Sequence, residues 1–159
     1  MRMEAGAKST IFKHLKEYGV PFVVIGGHAV CYYGFISATE DVAIVFLRTA
    51  ASEQKLFQAL QEIHACWISN ELDPDTGYEK EIPVNQKYLK SNHLMMVKTD
   101  LGYLDIFDFI PGFPEIPTEE LFDTAENYQG TKIVSLEWLK KIKNASGRSR
   151  DIEDLKNLP

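Results

Sequence analysis

With 159 residues, 45% of them hydrophobic, the chain is long enough to bury one sizeable core and is read as a single domain over 1–159. Its formal charge of −6 argues against broad electrostatic binding of nucleic acid, although Lys140, Lys141, Lys143, Arg148 and Arg150 form one local basic cluster. No apolar run of about 18 residues exists to cross a membrane, Met1 to Lys8 lacks the apolar stretch of a secretory signal, and Cys31 and Cys66 lack metal-ligand spacing, so a cytoplasmic protein with two buried, reduced thiols is expected.

In chain order, Ile11, Phe12, Leu15 and Tyr18 share one face of a helix predicted from Ala7 to Tyr18, with Gly19 as its stop. Pro21 to Ile25 suits a strand buried on both faces, Gly26-Gly27 a turn, and His28 to Tyr33 a short helix. Asp41 to Phe46 is the second strand. Ser52 is expected to cap a third helix that turns Leu56, Phe57, Leu60 and Ile63 inward. Between Trp67 and Val84 the pattern weakens around the turn Asp73-Pro74-Asp75-Thr76-Gly77, which leaves a hairpin or a mobile excursion open. Leu94–Lys98 and Tyr103–Ile110 read as strands joined by Thr99 to Gly102. After the stiff stretch marked by Pro111, Pro114 and Pro117, Thr118 is expected to cap a helix opened by Glu119 and Glu120. Ile133-Val134 is a short extended piece. Ser135 is expected to cap a helix through Lys143, and Ser149 another through Leu158, with Gly147 between them. Strands and helices alternate early and helices close the chain, so the expected class is α/β or α+β, with a mixed central sheet flanked by helices.

The residues that can carry chemistry lie around the glycine turn. Residues two apart on a strand share a face, so Asp41 and position 43 project together beside Gly26-Gly27. Asp105 sits in a second apolar strand, where a charge is costly unless it is paired or holds a metal. Three carboxylates converging in this way hold two Mg²⁺ ions roughly 3.5–4 Å apart and orient a phosphoryl group for in-line attack. The glycines let backbone approach the phosphates. Other candidates read as ordinary structure. His64 and His93 have no partner at ligand spacing, Tyr32, Tyr33 and Phe35 are expected to pack on the sheet, and Asp108 points away from Asp105 as a solvated or capping residue.

Ile25-Gly26-Gly27-His28-Ala29, Thr39-x-Asp41 and Leu104-Asp105-Ile106-Phe107 together resemble the minimal nucleotidyltransferase superfamily. The tail Lys143-x4-Arg148-x2-Asp151 is similar to a motif of the abortive-infection nucleotidyltransferase toxins of the AbiEii type. The matches run from Val23 to Leu158. The resemblance implies that Gly26, Gly27, His28, Thr39, Lys143 and Arg148 bind a nucleoside triphosphate. It further implies Asp41 and Asp105 as magnesium ligands, and Lys143 and Asp151 as a pair completing the catalytic set, with Lys143 near phosphate. The implied reaction is magnesium-dependent transfer of a nucleoside monophosphate to an RNA or protein acceptor, in some relatives by a toxin paired with an antitoxin.

Two positions depart from that pattern. Ala43 stands where the second metal carboxylate belongs, and Ser37 where many relatives carry Arg. Glu40 cannot replace the missing carboxylate, because an odd offset points it to the other face. Ala43 has two explanations, natural loss or replacement of an Asp. Either way a weak or inactive transferase is expected, and the rival reading is a non-catalytic nucleotide-binding or interaction protein that keeps the fold.

Overall fold

The computed structural model describes residues 7–35 and 42–159. Helix α1 (Ala7–Glu17) ends ahead of Gly19, whose φ of +75° suits the left-handed stop. Strand β1 (Phe22–Ile25) is buried along its whole length, as a β-branched run in the centre of a sheet must be. Helix α2 (Gly26–Tyr32) starts at the first glycine rather than after the pair, and β2 (Val42–Phe46) returns antiparallel to β1.

Helix α3 (Ala50–Glu62) is capped by Thr49, not by the expected Ser52. The two side chains cap reciprocally: Ser52 N–H donates to Thr49 Oγ1 at 2.9 Å and Thr49 N–H to Ser52 Oγ at 2.7 Å. The stretch left open resolves into a hairpin of β3 (Cys66–Leu72) and β4 (Glu79–Pro83). A helix not anticipated, α4 (Gln86–Ser91), follows, its N-cap Asn85 accepting from Tyr88 N–H at 2.8 Å. Strands β5 (Leu94–Thr99) and β6 (Gly102–Phe107) pair antiparallel, and β6 stops before the expected Ile110.

Helix α5 (Glu119–Thr124) takes no side-chain cap from Thr118, which is already helical at φ −61° and ψ −26° because the preceding turn runs straight into the helix. Strand β7 (Glu126–Tyr128), also unforeseen, pairs with β8 (Thr131–Ile133). Ser135 caps α6 (Leu136–Ser146) as expected, accepting from Trp138 N–H at 3.2 Å. Gly147, at φ +64°, breaks the chain into α7 (Ser149–Asn157). Arg148 rather than Ser149 stands at the start of α7, and its backbone N–H donates to the Asp151 carboxylate at 3.3 Å.

The described residues thus form one mixed eight-stranded sheet, ordered β4-β3-β5-β6-β2-β1-β8-β7, and seven helices. The β2–β6 and β1–β8 pairs are parallel and the rest antiparallel. Along β5, Met95, Val97 and Thr99 are buried while Leu94, Met96 and Lys98 are exposed, so this part of the sheet has one packed and one open face. Met95, Leu104, Ile106, Leu56, Leu60, Ile11 and Leu15 belong to the same fully buried core. The expected packing of Tyr32, Tyr33 and Phe35 against this core is found. Cys31 and Cys66 are free but only half-buried, short of the expected burial. Among the described residues no helix is long and apolar enough to cross a membrane.

Asp108 is neither solvated nor a cap. Its side chain is 7% exposed, and its Oδ2 accepts from Arg48 Nε at 2.6 Å while facing His93 Nδ1 at 2.8 Å. Arg48 also donates to Glu53 and to the carbonyls of Leu89 and Asn92, so one guanidinium ties β2's exit to α3, α4 and the end of β6.

Candidate functional site

A cavity of about 390 Å³ opens where β1 turns into α2, floored by the open face of β2 and β6 and walled by α6 and the start of α7. The strand registers explain what lies on its floor. Ile25 pairs with Ala43, Ala43 with Asp105, and Asp105 with Met96, so four strands present one lateral row, and all four side chains line the cavity. Directly paired residues hold their Cβ atoms roughly 4.5–5.5 Å apart. Asp105 is therefore flanked by the Ala43 methyl on one side and the Met96 thioether on the other.

Gly26 and Gly27 line the same cavity. Gly26 adopts φ +72°, and a Cβ there would stand 3.4 Å from the Ala43 Cβ. The turn thus needs glycine for its backbone and sits tight against the strand that carries position 43.

The far wall carries the charge. Lys143 is buried in α6, with its Nζ 3.0 Å from Asp151 Oδ1 and 2.9 Å from Asp154 Oδ2. Arg148 reaches the same Asp151 through Nε at 2.7 Å and Nη2 at 3.3 Å, while its side chain stays 60% exposed. Burial alone would raise the Asp151 carboxyl, but hydrogen bonds from Arg148, Ser146 and Lys143 outweigh it and hold the group well below the usual carboxylate range. The Asp151 hydrogen bond raises the Arg148 guanidinium further, and Asp105 adds to this across the cleft.

Of the residues singled out from sequence, the fold brings Gly26, Gly27, Asp105, Lys143, Arg148 and Asp151 to one cavity. His28 does not line it; its ring packs edge-on against Phe12, with centroids 5.8 Å apart. Thr39 and Asp41, with Ser37 and Glu40, lie outside the described residues. Arg150, from the basic cluster, also lines the cavity, whereas Met96, Ser146 and Asp154 were not anticipated. Asp154 had a signal, since it lies three residues after Asp151 and so on the same helix face.

Among the described residues no group of three or more His, Cys, Asp or Glu could hold a metal. Of the expected carboxylate set they supply Asp105 alone, because Ala43 occupies the second position and both Asp151 oxygens are engaged by Lys143 and Arg148. These residues do not by themselves make a two-magnesium site.

No protein-family model matches the chain, and no curated protein matches it. Solved structures do, and they assign the architecture: this is the nucleotidyltransferase fold. The lincosamide antibiotic adenylyltransferase LnuA, in its lincomycin-bound form, is similar over 99% of this chain and 97% of its own, with a TM-score of 0.62 at 19% identity. The antibiotic-resistance factor ANT(2'')-Ia covers 94% of this chain and is covered over 79%, with a TM-score of 0.55 at 12% identity. An antigenic nucleotidyltransferase-like protein from Paracoccidioides brasiliensis gives a TM-score of 0.51 at 19% identity, over 94% of this chain and 72% of that one. At such identities the likeness is one of fold.

Proposed function

We propose that the cleft binds a nucleoside triphosphate and that, with Ala43 in place, it transfers the nucleotide slowly or not at all. The observation that carries this reading is the floor row, in which a methyl stands at the partner position of Asp105 on the adjacent parallel strand. In the full reaction an acceptor oxygen would attack the α-phosphorus, its proton would leave to a base or to water, and pyrophosphate would depart. This chain's part is to seat the phosphates on the Gly26-Gly27 turn and hold Asp105 beneath them. Magnesium is proposed to arrive with the triphosphate and to meet Asp41 and Asp105, the two protein carboxylates left of the expected set.

For the acceptor, a small organic molecule is favoured over RNA, protein or an antitoxin-bound state. The cavity is bordered by Met96, Phe107, Pro111 and Ile142, and the chain carries a net charge of −6, which suits an apolar acceptor better than a polyanion. LnuA, alike over nearly its whole length, is described as an adenylyltransferase of lincosamides.

The test compares this chain with Ala43→Asp. Each would receive Mg²⁺ and the four labelled nucleoside triphosphates, with lincosamides, aminoglycosides, RNA and protein as acceptors. The loss of one bridging carboxylate is worth several kcal/mol of transition-state stabilisation, so Ala43→Asp should gain roughly a thousandfold in rate. Nucleotide binding with no turnover by either protein would move the reading to a non-catalytic nucleotide-binding protein.

A further inference from the structure

We propose that Arg148, not Lys143, is the cation that meets the phosphate chain, and that Lys143, Asp151 and Asp154 are positioning residues that hold it at the cleft wall. The inference rests on the nucleotide-cleft reading above.

Lys143 is poorly placed to take phosphate. Only 6% of its side chain is exposed, and two carboxylates lie within 3.0 Å of its ammonium. A phosphate oxygen would have to displace a charge-assisted hydrogen bond and an ion pair at a buried ammonium, and would then face both carboxylates. One positive charge held between two negative ones leaves nothing to offer a polyanion.

Arg148 is the converse. Asp151 takes one N–H from Nε and one from Nη2, so about three of the five guanidinium N–H groups stay available. The held edge fixes the plane of the fork, and the exposed side chain lines the cavity. Planar donors held in advance suit the oxygens of a polyphosphate and lose little freedom on binding. The backbone supports the same arrangement: Gly147 turns the chain at φ +64°, so that Arg148 starts the new helix and donates its own N–H to Asp151.

Asp154 completes the brace. Buried at 3% side-chain exposure and on the same face of α7 as Asp151, it forms the second ion pair with the Lys143 ammonium, at 2.9 Å. Two cations and two carboxylates then balance. Asp151 can bond Arg148 without burying an uncompensated charge, because Lys143 neutralises it from behind.

The test titrates inorganic tripolyphosphate and ATP into the full chain by calorimetry, for wild type, Arg148→Ala, Asp151→Asn, the double variant and Asp154→Asn. Arg148→Ala should weaken both ligands about tenfold or more, since charge-assisted hydrogen bonds of this kind are lost. Asp151→Asn should weaken binding when Arg148 is present and add nothing when it is absent, because it acts through Arg148. Asp154→Asn should weaken binding a few-fold, because loosening the brace frees the Arg148 fork; were Lys143 the phosphate ligand, removing its competing carboxylate would instead tighten binding, and that result would overturn the proposal. The Arg148 side chain is exposed, so its variant tests the proposal even if a brace variant does not fold. If wild type binds and Arg148→Ala binds equally well, or if Asp151→Asn costs the same in both backgrounds, the inference is wrong while the nucleotide reading stands. If wild type binds neither ligand, both fall.

Discussion

Ala43 and Asp151 show how one side chain sets the character of each wall of the cleft. On the floor, the methyl of Ala43 removes a charge that would otherwise sit beside Asp105 and repel it in the absence of a metal. On the wall, Asp151 is buried and ionised, and its folded-state acidity lies below the ordinary carboxylate range. The group contributes stability that is fully present above its unfolded pKa of about 3.9 and is lost as pH falls towards the folded value. Asp151→Asn should therefore be less stable at neutral pH, by about 1–3 kcal/mol for the charged hydrogen bonds it weakens. The gap between variant and wild type should narrow as pH drops below about 4. Urea melts of both proteins at neutral pH and near pH 3 read this directly, and a gap that stays constant would remove Asp151's charge from the account.

At the scale of elements, caps and clamps decide where helices begin. Thr49 and Ser52 satisfy each other's backbone donors at the start of α3, and Ser52 Oγ also donates to the Leu47 carbonyl at 2.6 Å. Thr49→Ala should cost about 1 kcal/mol, measured as a lower urea midpoint at unchanged slope. Either residue fits the capping preference, so the sequence alone could not choose between them. The same limit explains the elements that were missed or left open. In β4 the exposed residues Glu79, Glu81 and Pro83 alternate with only half-buried ones, so the strand carries little of the apolar signal that marks β1. The helix α4 offers one buried residue, Leu89, in six. Strand β7 holds no fully buried residue, and the turn that pairs it with β8 runs through Gln129 and Gly130, both at positive φ.

The meeting place of several candidate residues was more legible than the elements around it. Glycines after a buried strand and an aspartate inside an apolar one are costly unless they serve a purpose, and both reached the cavity as expected. What remained hidden were pairs made by tertiary packing. Arg48 and Asp108 are sixty residues apart, and nothing in either segment announces that they meet. The burial of Lys143 was hidden for the same reason, because a lysine on a basic helix reads as solvated until α7 folds back over it.

For the whole molecule, the sheet order separates two regions with different surroundings. The β3–β4 hairpin lies at one end of the sheet, several strands away from β1 and the glycine turn, while α6 stands over the cleft. Each region carries one of the chain's two tryptophans. Trp67 in β3 is half-buried and stacks on Tyr88 with centroids 4.0 Å apart, nearly parallel at 5°. Trp138 in α6 is 6% exposed, edge-on to Phe113, with the Lys141 ammonium 4.7 Å from its ring centre. The protein therefore carries two built-in optical reporters. Trp67→Phe should leave a single, blue-shifted emitter on the helix that holds Lys143, and its emission should change when triphosphate is added. In Trp138→Phe the remaining, redder emission should be indifferent to the ligand. Light from one indole would then follow the cleft, and light from the other the far edge of the sheet.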